Sequence, residues 1–216
     1  YMENSYLSIK KHYENCFKNY GDNYRGVDWP NQKDANIRYQ VMTDIKKFDR
    51  AFNLDRKPKF LDFGCGLAHL YGYWKKNNID YDYCGLDISD DFINASKLKY
   101  PTVNFSKADL MNNTFESSIY DYVVANGVFT EKLKLDQNYM WKWVKKMILK
   151  VFPMSEFGFA CNFMSTNVDW EREDLFHLPV EKLISFVHKE VSESFIIRND
   201  YKKYEYTIYI YKNVTG

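Results

Sequence analysis

The chain has 216 residues, of which 45% are apolar and 19% aromatic, enough material to bury a full core in one domain. Thirty basic residues against 29 acidic ones leave a formal net charge of +1, so no long-range field favours nucleic acid or another polyanion as partner. No run of about 18 apolar residues is present to span a bilayer, and residues 2–17 lack the apolar stretch of a secretory signal, so a cytoplasmic protein is expected.

Residues 1–55 carry two helical patterns, about 6–19 and 33–52, separated by Gly21, Gly26 and Pro30. The segment is too short for a domain of its own. It is expected to be a helical lid over the ligand edge of a single domain whose body spans 56–213. Between the helices lies G-D-N-Y-R-G-V-D-W-P-N, residues 21–31, where Trp29 ahead of Pro30 can pin the loop or border an acceptor. Arg38 could clamp the carboxylate of a cofactor or an anionic group of the substrate, since a guanidinium matches either bidentately. Taken singly, a core anchor for Trp29 and an ion pair for Arg38 are equally ordinary roles.

From residue 59 onward, short β-rich runs alternate with amphipathic stretches, the pattern of an α/β fold with a parallel sheet covered on both faces. Strands are expected at 59–63, 83–87, 103–107, 120–125 and 157–164. The spacing predicts helices over 68–76, after Ser89, over 136–150 and over 180–189. The last two strand-like runs, 194–198 and 204–211, are joined by a short polar connection and read as an antiparallel hairpin. Cys16, Cys65, Cys84 and Cys161 stand far apart without a C-x-x-C pair, which argues against a zinc knuckle or a redox dithiol, and no metal is expected.

The stretch F-L-D-F-G-C-G-L-A-H-L, residues 60–70, runs from the first strand through a glycine turn into a helix, which places it at the sheet edge where open α/β folds bind ligands. A dinucleotide loop wants a third glycine or alanine where this chain has His69. Asp62 would repel a pyrophosphate. The same carboxylate suits S-adenosylmethionine, which carries both an ammonium and a sulfonium, and Asp87 at the end of the second strand can accept from both ribose hydroxyls. For any one of these residues, a turn, cap or packing role is the alternative; Cys65 between the glycines reads as a small packing residue.

Four blocks, L-D-F-G-C-G at 61–66, Y-C-G-L-D-I-S at 83–89, K-A-D-L at 107–110 and Y-D-Y-V-V-A-N-G-V-F at 120–129, resemble in order the class I S-adenosylmethionine-dependent methyltransferases. The resemblance implies a Rossmann-like seven-stranded, mostly parallel sheet whose last strand is antiparallel. It implies that Asp62, Gly64, Cys65 and Gly66 line the methionine portion, that Asp87 binds the ribose and that Ile88 packs on the adenine. Ala108, Asp109 and Leu110 should hold the adenine edge, while Asn126 and Gly127 border the transferred methyl.

The fourth block lacks the Asn- or Asp-Pro-Pro-aromatic motif of amide and nucleobase N-methyltransferases and the Pro-Cys of cytosine C5 enzymes, so a small-molecule acceptor is expected. O-methylation needs a base. His177 is the leading candidate, with Asp169 and Glu131 as substitutes; a capping or surface histidine is the plain alternative for His177. Trp29, Phe129, Arg172 and Arg198 are expected acceptor contacts. The flanking segments also resemble bacterial methyltransferases from surface-polysaccharide gene clusters, which implies a sugar, sugar nucleotide or phosphorylated capsule precursor as acceptor. N-methylation of a small amine, and a non-catalytic cofactor-binding protein of the same fold, are the competing readings.

Overall fold

The computed structural model describes residues 5–49, 55–112 and 119–212. Seven strands form one sheet in the order β3-β2-β1-β4-β5-β7-β6. They are β1 (Lys59–Phe63), β2 (Asp82–Asp87), β3 (Asn104–Lys107), β4 (Tyr120–Ala125), β5 (Ser155–Met164), β6 (Phe195–Arg198) and β7 (Glu205–Tyr211). The first five run parallel, and β7 pairs antiparallel with both β5 and β6. The α/β Rossmann-like expectation is met. The strand order reverses direction between β1 and β4, and that crevice is where such sheets bind ligands.

Period-two alternation divides the strands between two cores. Leu61, Val123, Phe159, Cys161, Ile208 and Ile210 face α5 (Gln137–Val151) and α6 (Val180–Glu190). Phe60, Tyr122, Val124, Ala160, Tyr209 and Tyr211 face α2 (Gln32–Thr43) and α3 (His69–Lys76). Every residue of β7 is buried, because the strand lies inside the sheet and not at its edge. Its alternating tyrosines and isoleucines therefore distinguish two cores, not a core and a solvent face.

Helix starts follow their capping chemistry. Ser89 caps α4 (Asp90–Lys99), with Asp90 and Asp91 in the first turn where they complement the helix dipole. Asp136 caps α5, accepting from the amides of Asn138 and Tyr139 at 2.8 and 3.1 Å. At the front of the chain, α1 (Leu7–Tyr20) ends at Gly21, whose φ of 70° only glycine adopts freely. The second helical pattern is shorter than expected: α2 gives way to a 3₁₀ turn, Asp44–Phe48, and residues 50–54 lie outside the described part. Only the first half of the presumed lid lies over the ligand edge, since α2 packs with α3 on a sheet face. Among the described residues, no helix is long and apolar enough to cross a membrane.

Trp74 of α3 fixes this second core. It is fully buried, its ring meets Phe60, Tyr81 and Tyr83 edge to face, and its indole N–H donates to Thr43 Oγ1 at 2.7 Å. Trp74→Ala is expected to cost about 3–5 kcal/mol of unfolding free energy, read from a denaturant titration.

Candidate active site

The loop after β1 bends through Gly64 and Gly66, both at positive φ, 74° and 50°. A Cβ on Gly64 would also lie 2.5 Å from Val128 Cγ2, so the glycine is required by packing against the loop after β4 as well as by its φ. Three amides at the start of this loop are engaged within the chain. Gly64 and Cys65 donate to the Leu86 carbonyl at 2.7 and 3.1 Å, and Gly66 donates to Asp87 Oδ2 at 2.9 Å. These three amides are not available to a phosphate, which adds to the charge argument against a dinucleotide. His69, in place of a third glycine, opens α3 and bonds Asp22 at 2.6 Å.

One cleft at the β1/β4 crevice collects most of the expected cofactor residues: Asp62, Gly64, Cys65, Gly66, Asp87, Ile88, Ala108, Asp109, Leu110, Asn126 and Gly127 all line it. Asp62 is buried, accepts from the Tyr83 hydroxyl at 2.7 Å, and burial pushes its carboxyl up to about 7. Asp87 is buried too and likewise raised by desolvation, against which the amides of Ser89 and Gly66, at 2.8 and 2.9 Å, stabilise the charge. Each Asp87 oxygen thus takes one backbone bond and keeps a lone pair for a ribose hydroxyl. Among the described residues, no basic side chain acts on either acid. Cys65 is a buried thiol, raised well above its usual range by burial, and packs close to Gly85.

Further along, Trp143 lines the cleft and stacks on Tyr6 of the N-terminal segment, ring centroids 6.0 Å apart. The Tyr6 hydroxyl donates to Asp109 Oδ2 at 2.6 Å, so Asp109 ties the N-terminal segment to the loop after β3. Trp143 Nε1 and Asn126 Oδ1 are buried without hydrogen-bond partners. Orphaned polar atoms of this kind mark where a ligand completes the wall. With the unpaired acid Asp62 and the ribose-competent Asp87, they fit S-adenosylmethionine.

Tyr6, Ile9, Lys10 and Tyr13 of α1, with Val27 and Trp29 of the following loop, roof the cleft. Two further contacts fasten this cap. Ser89 donates to Glu14 at 2.6 Å, and Asp22 bridges His69 and Lys99 at 2.6 and 2.8 Å. The hydrogen bond from His69, with Lys99 beside it, holds the Asp22 carboxyl down at about 2. Sequence reasoning missed Tyr6, Tyr13 and Asp22, whose partners lie far away in the chain.

The expected catalytic residues do not converge. His177 is buried outside the cleft: its Nδ1 faces the Ser165 carbonyl at 2.6 Å and its Nε2 accepts from the Arg172 amide at 3.2 Å. With both ring nitrogens occupied, it pins the segment after β5 and has no lone pair to offer a substrate. Asp169 is exposed and away from the cleft lining. Glu131 is buried, and desolvation pushes its carboxyl up to about 7. It follows Thr130, whose hydroxyl donates to the Gly127 carbonyl at 3.0 Å, the same carbonyl that Tyr13 reaches at 3.4 Å.

The expected acceptor contacts divide in the same way. Trp29 lines the cleft and would lie 2.9 Å from a Cβ on Gly127. Phe129 is a core residue, stacked on Phe163. Arg172 bonds Asp174, and Arg198 is held by Asp200, Asp44 and Tyr209. Arg38 does not meet the cofactor cleft: Nε and Nη2 donate to Glu205 Oε2 at 2.8 and 2.7 Å, and its guanidinium lies 4.5 Å from the Trp29 ring centroid. Glu205 bonds Asn162, which in turn accepts from the Gly127 amide at 2.8 Å. Arg38 thereby acts on the methyl-bordering loop from behind.

A methyltransferase-domain family model matches residues 61–147. Rv1506c of Mycobacterium tuberculosis, a protein assigned as a methyltransferase, is 27% identical over 153 residues, covering 70% of this chain and 91% of that one. Among solved structures, the magnesium protoporphyrin IX methyltransferase of Synechocystis PCC 6803 with bound S-adenosylhomocysteine gives a TM-score of 0.62 at 13% identity, covering 95% of this chain and 99% of that one. The plantazolicin methyltransferase BpumL, with a desmethyl analogue and S-adenosylhomocysteine, gives 0.60 at 15% identity, covering 98% and 95%. These two share the fold. The matched domain and the fold are those of S-adenosylmethionine-dependent methyltransferases.

With burial raising the Asp62 carboxyl to about 7, pairing of a ligand ammonium with ionised Asp62 predicts that affinity falls as pH drops below about 7, approaching tenfold per unit. Calorimetry with S-adenosylhomocysteine reads this directly. Asp62→Asn should weaken binding by roughly ten- to a hundredfold above pH 7 and flatten the dependence. Asp22→Asn should speed release about two- to fivefold in stopped flow, the modest effect of a half-exposed ion pair.

Proposed function

We propose that the enzyme transfers the methyl group to a hydroxyl of a small molecule with an apolar or aromatic body, using Glu131 as proton acceptor. The observation that carries this reading is the buried Glu131 carboxyl, four residues after Gly127 and close enough to Tyr13 of the cleft wall to act on its hydroxyl, without a hydrogen-bond partner among the described residues and titrating near neutrality. A base poised near the working pH is what removal of a hydroxyl proton requires.

The cofactor, when bound, supplies a methyl group activated by a sulfonium. The residues of the chain do the rest. Asp62 and Asp87 orient the ligand in the cleft, the Asn126–Gly127 loop lies at its methyl end, and Tyr13, Trp29 and Val128 form a wall there that excludes water. Attack must be in line with the breaking bond, so the rigid seating of Gly127 on Asn162 and Trp29 matters for alignment. The proton released from the acceptor passes to Glu131.

The small-molecule class is supported by the roofed cleft and by the two structural relatives, which are named for magnesium protoporphyrin IX and plantazolicin. A sugar nucleotide or phosphorylated polysaccharide precursor is less well supported. Arg38, Arg172 and Arg198 are tied to acids, and Arg25 is exposed and lies over Tyr20, which leaves Lys10 and the Asp22-bonded His69 as the basic side chains of the cleft wall among the described residues. Amine N-methylation keeps one argument in its favour: Asp28, Glu131 and Asp174 all place negative charge around His12 on the same side of the cap, which would attract a cationic amine.

Glu131→Gln separates the two acceptors. For a hydroxyl, kcat should fall about a hundredfold or more and lose its rise through about pH 7; for an amine, KM should rise with a smaller change in kcat. His177→Ala should lower stability but leave kcat per folded molecule within about twofold, because the ring touches only its own segment. Loss of turnover in folded His177→Ala would return the base role to the histidine.

A further inference from the structure

His12 and Cys16 stand one helical turn apart on α1, and Asp28 approaches them from the loop that follows. His12 Nε2 lies 2.8 Å from Asp28 Oδ2 and 3.8 Å from Cys16 Sγ, and all three ligand atoms fall within 4.8 Å of one another. Asp28 is fixed in place: its φ is 58°, and its amide donates to the Arg25 carbonyl at 3.1 Å. The three side chains bring one imidazole, one thiol and one carboxylate, a donor set of mixed hardness.

We propose that His12, Cys16 and Asp28 bind a borderline-soft divalent transition-metal ion, of which zinc is the type. Bond lengths of about 2.0 Å to nitrogen and oxygen and about 2.3 Å to sulfur require tetrahedral ligand separations of about 3.3 Å for N to O and about 3.6 Å for N to S. The observed pair distances differ from these by about half an ångström or less, within reach of small side-chain rotations. Carboxylate and thiolate together balance the ion's double charge, and Glu131 and Asp174 add negative potential on the same side. On binding, the thiol proton leaves to solvent as the sulfur–metal bond forms. The imidazole then ligates through Nε2 as a neutral ring and gives up its hydrogen bond to Asp28.

Such an ion would staple α1 to the 21–31 loop, the two parts of the cap over the cofactor cleft. Tyr13 follows His12 and Trp29 follows Asp28, and both line that cleft. Metal would therefore stiffen the roof without touching the cofactor's own contacts. The sequence had not suggested this, because the three residues make no recognised ligand spacing.

The test uses the full chain, free of tags and stripped with a chelator, titrated with cobalt(II). One equivalent should bind with the visible bands of a low-coordinate ion and a near-ultraviolet thiolate-to-cobalt charge-transfer band, both removed by added zinc. Cys16→Ser should lose the charge-transfer band, and His12→Ala or Asp28→Asn should weaken binding at least about tenfold. Each variant is first shown to bind S-adenosylhomocysteine, so a folding defect is not mistaken for a lost ligand. Absence of a charge-transfer band in the folded parent, or a band that survives Cys16→Ser, would overturn the proposal and leave a hydrogen-bonded triad only.

Discussion

Two buried carboxylates, with no basic side chain against them among the described residues, set the terms for the rest of the molecule. Asp62 and Asp87 close the ends of neighbouring parallel strands, and burial raises both. Uncompensated, a buried acid costs several kcal/mol. Here the Tyr83 hydroxyl and the amides of Gly66 and Ser89 hold the side chains in place without neutralising them. The cleft therefore presents two acids whose charge the hydrogen bonds do not balance, an arrangement suited to a ligand that brings its own ammonium and a pair of hydroxyls. The positive φ of Gly64 and Gly66 and the loop amides bonded to Leu86 and Asp87 serve that arrangement.

The cap adapts this general site to one reaction. Its contacts are few and of different kinds: a buried phenol on Asp109, a glutamate on Ser89, and a half-exposed ion cluster at Asp22. None is strong alone, so opening for cofactor exchange is compatible with the fold. Behind the cleft, the line Trp29, Arg38, Glu205, Asn162, Gly127 connects the cap loop to the loop at the methyl end through buried polar contacts.

What could be read from the residues alone follows a physical division. Strands β1 to β5, the capped helix starts and the cofactor acids are local features, written in contiguous blocks, and they appear where the blocks place them. Arg38 failed as a cofactor clamp because its partner, Glu205, lies 167 positions away. His177 looked like a base on residue type and neighbourhood, yet the carbonyl of Ser165 and the amide of Arg172 occupy both nitrogens, and no periodicity reports such contacts. Phe129 reads the same in a core as in a binding wall. Glu131 was visible only as one acid among several until burial set it apart.

The central claim is that Asp62 and its neighbours recognise the ammonium of a sulfonium cofactor, and the most direct measurement compares two ligands by calorimetry at pH above 7. S-adenosylhomocysteine should bind one to one, and its deaminated analogue, which lacks only the amine, should bind at least about tenfold more weakly. Equal affinity for the two, or binding of neither, would contradict the account.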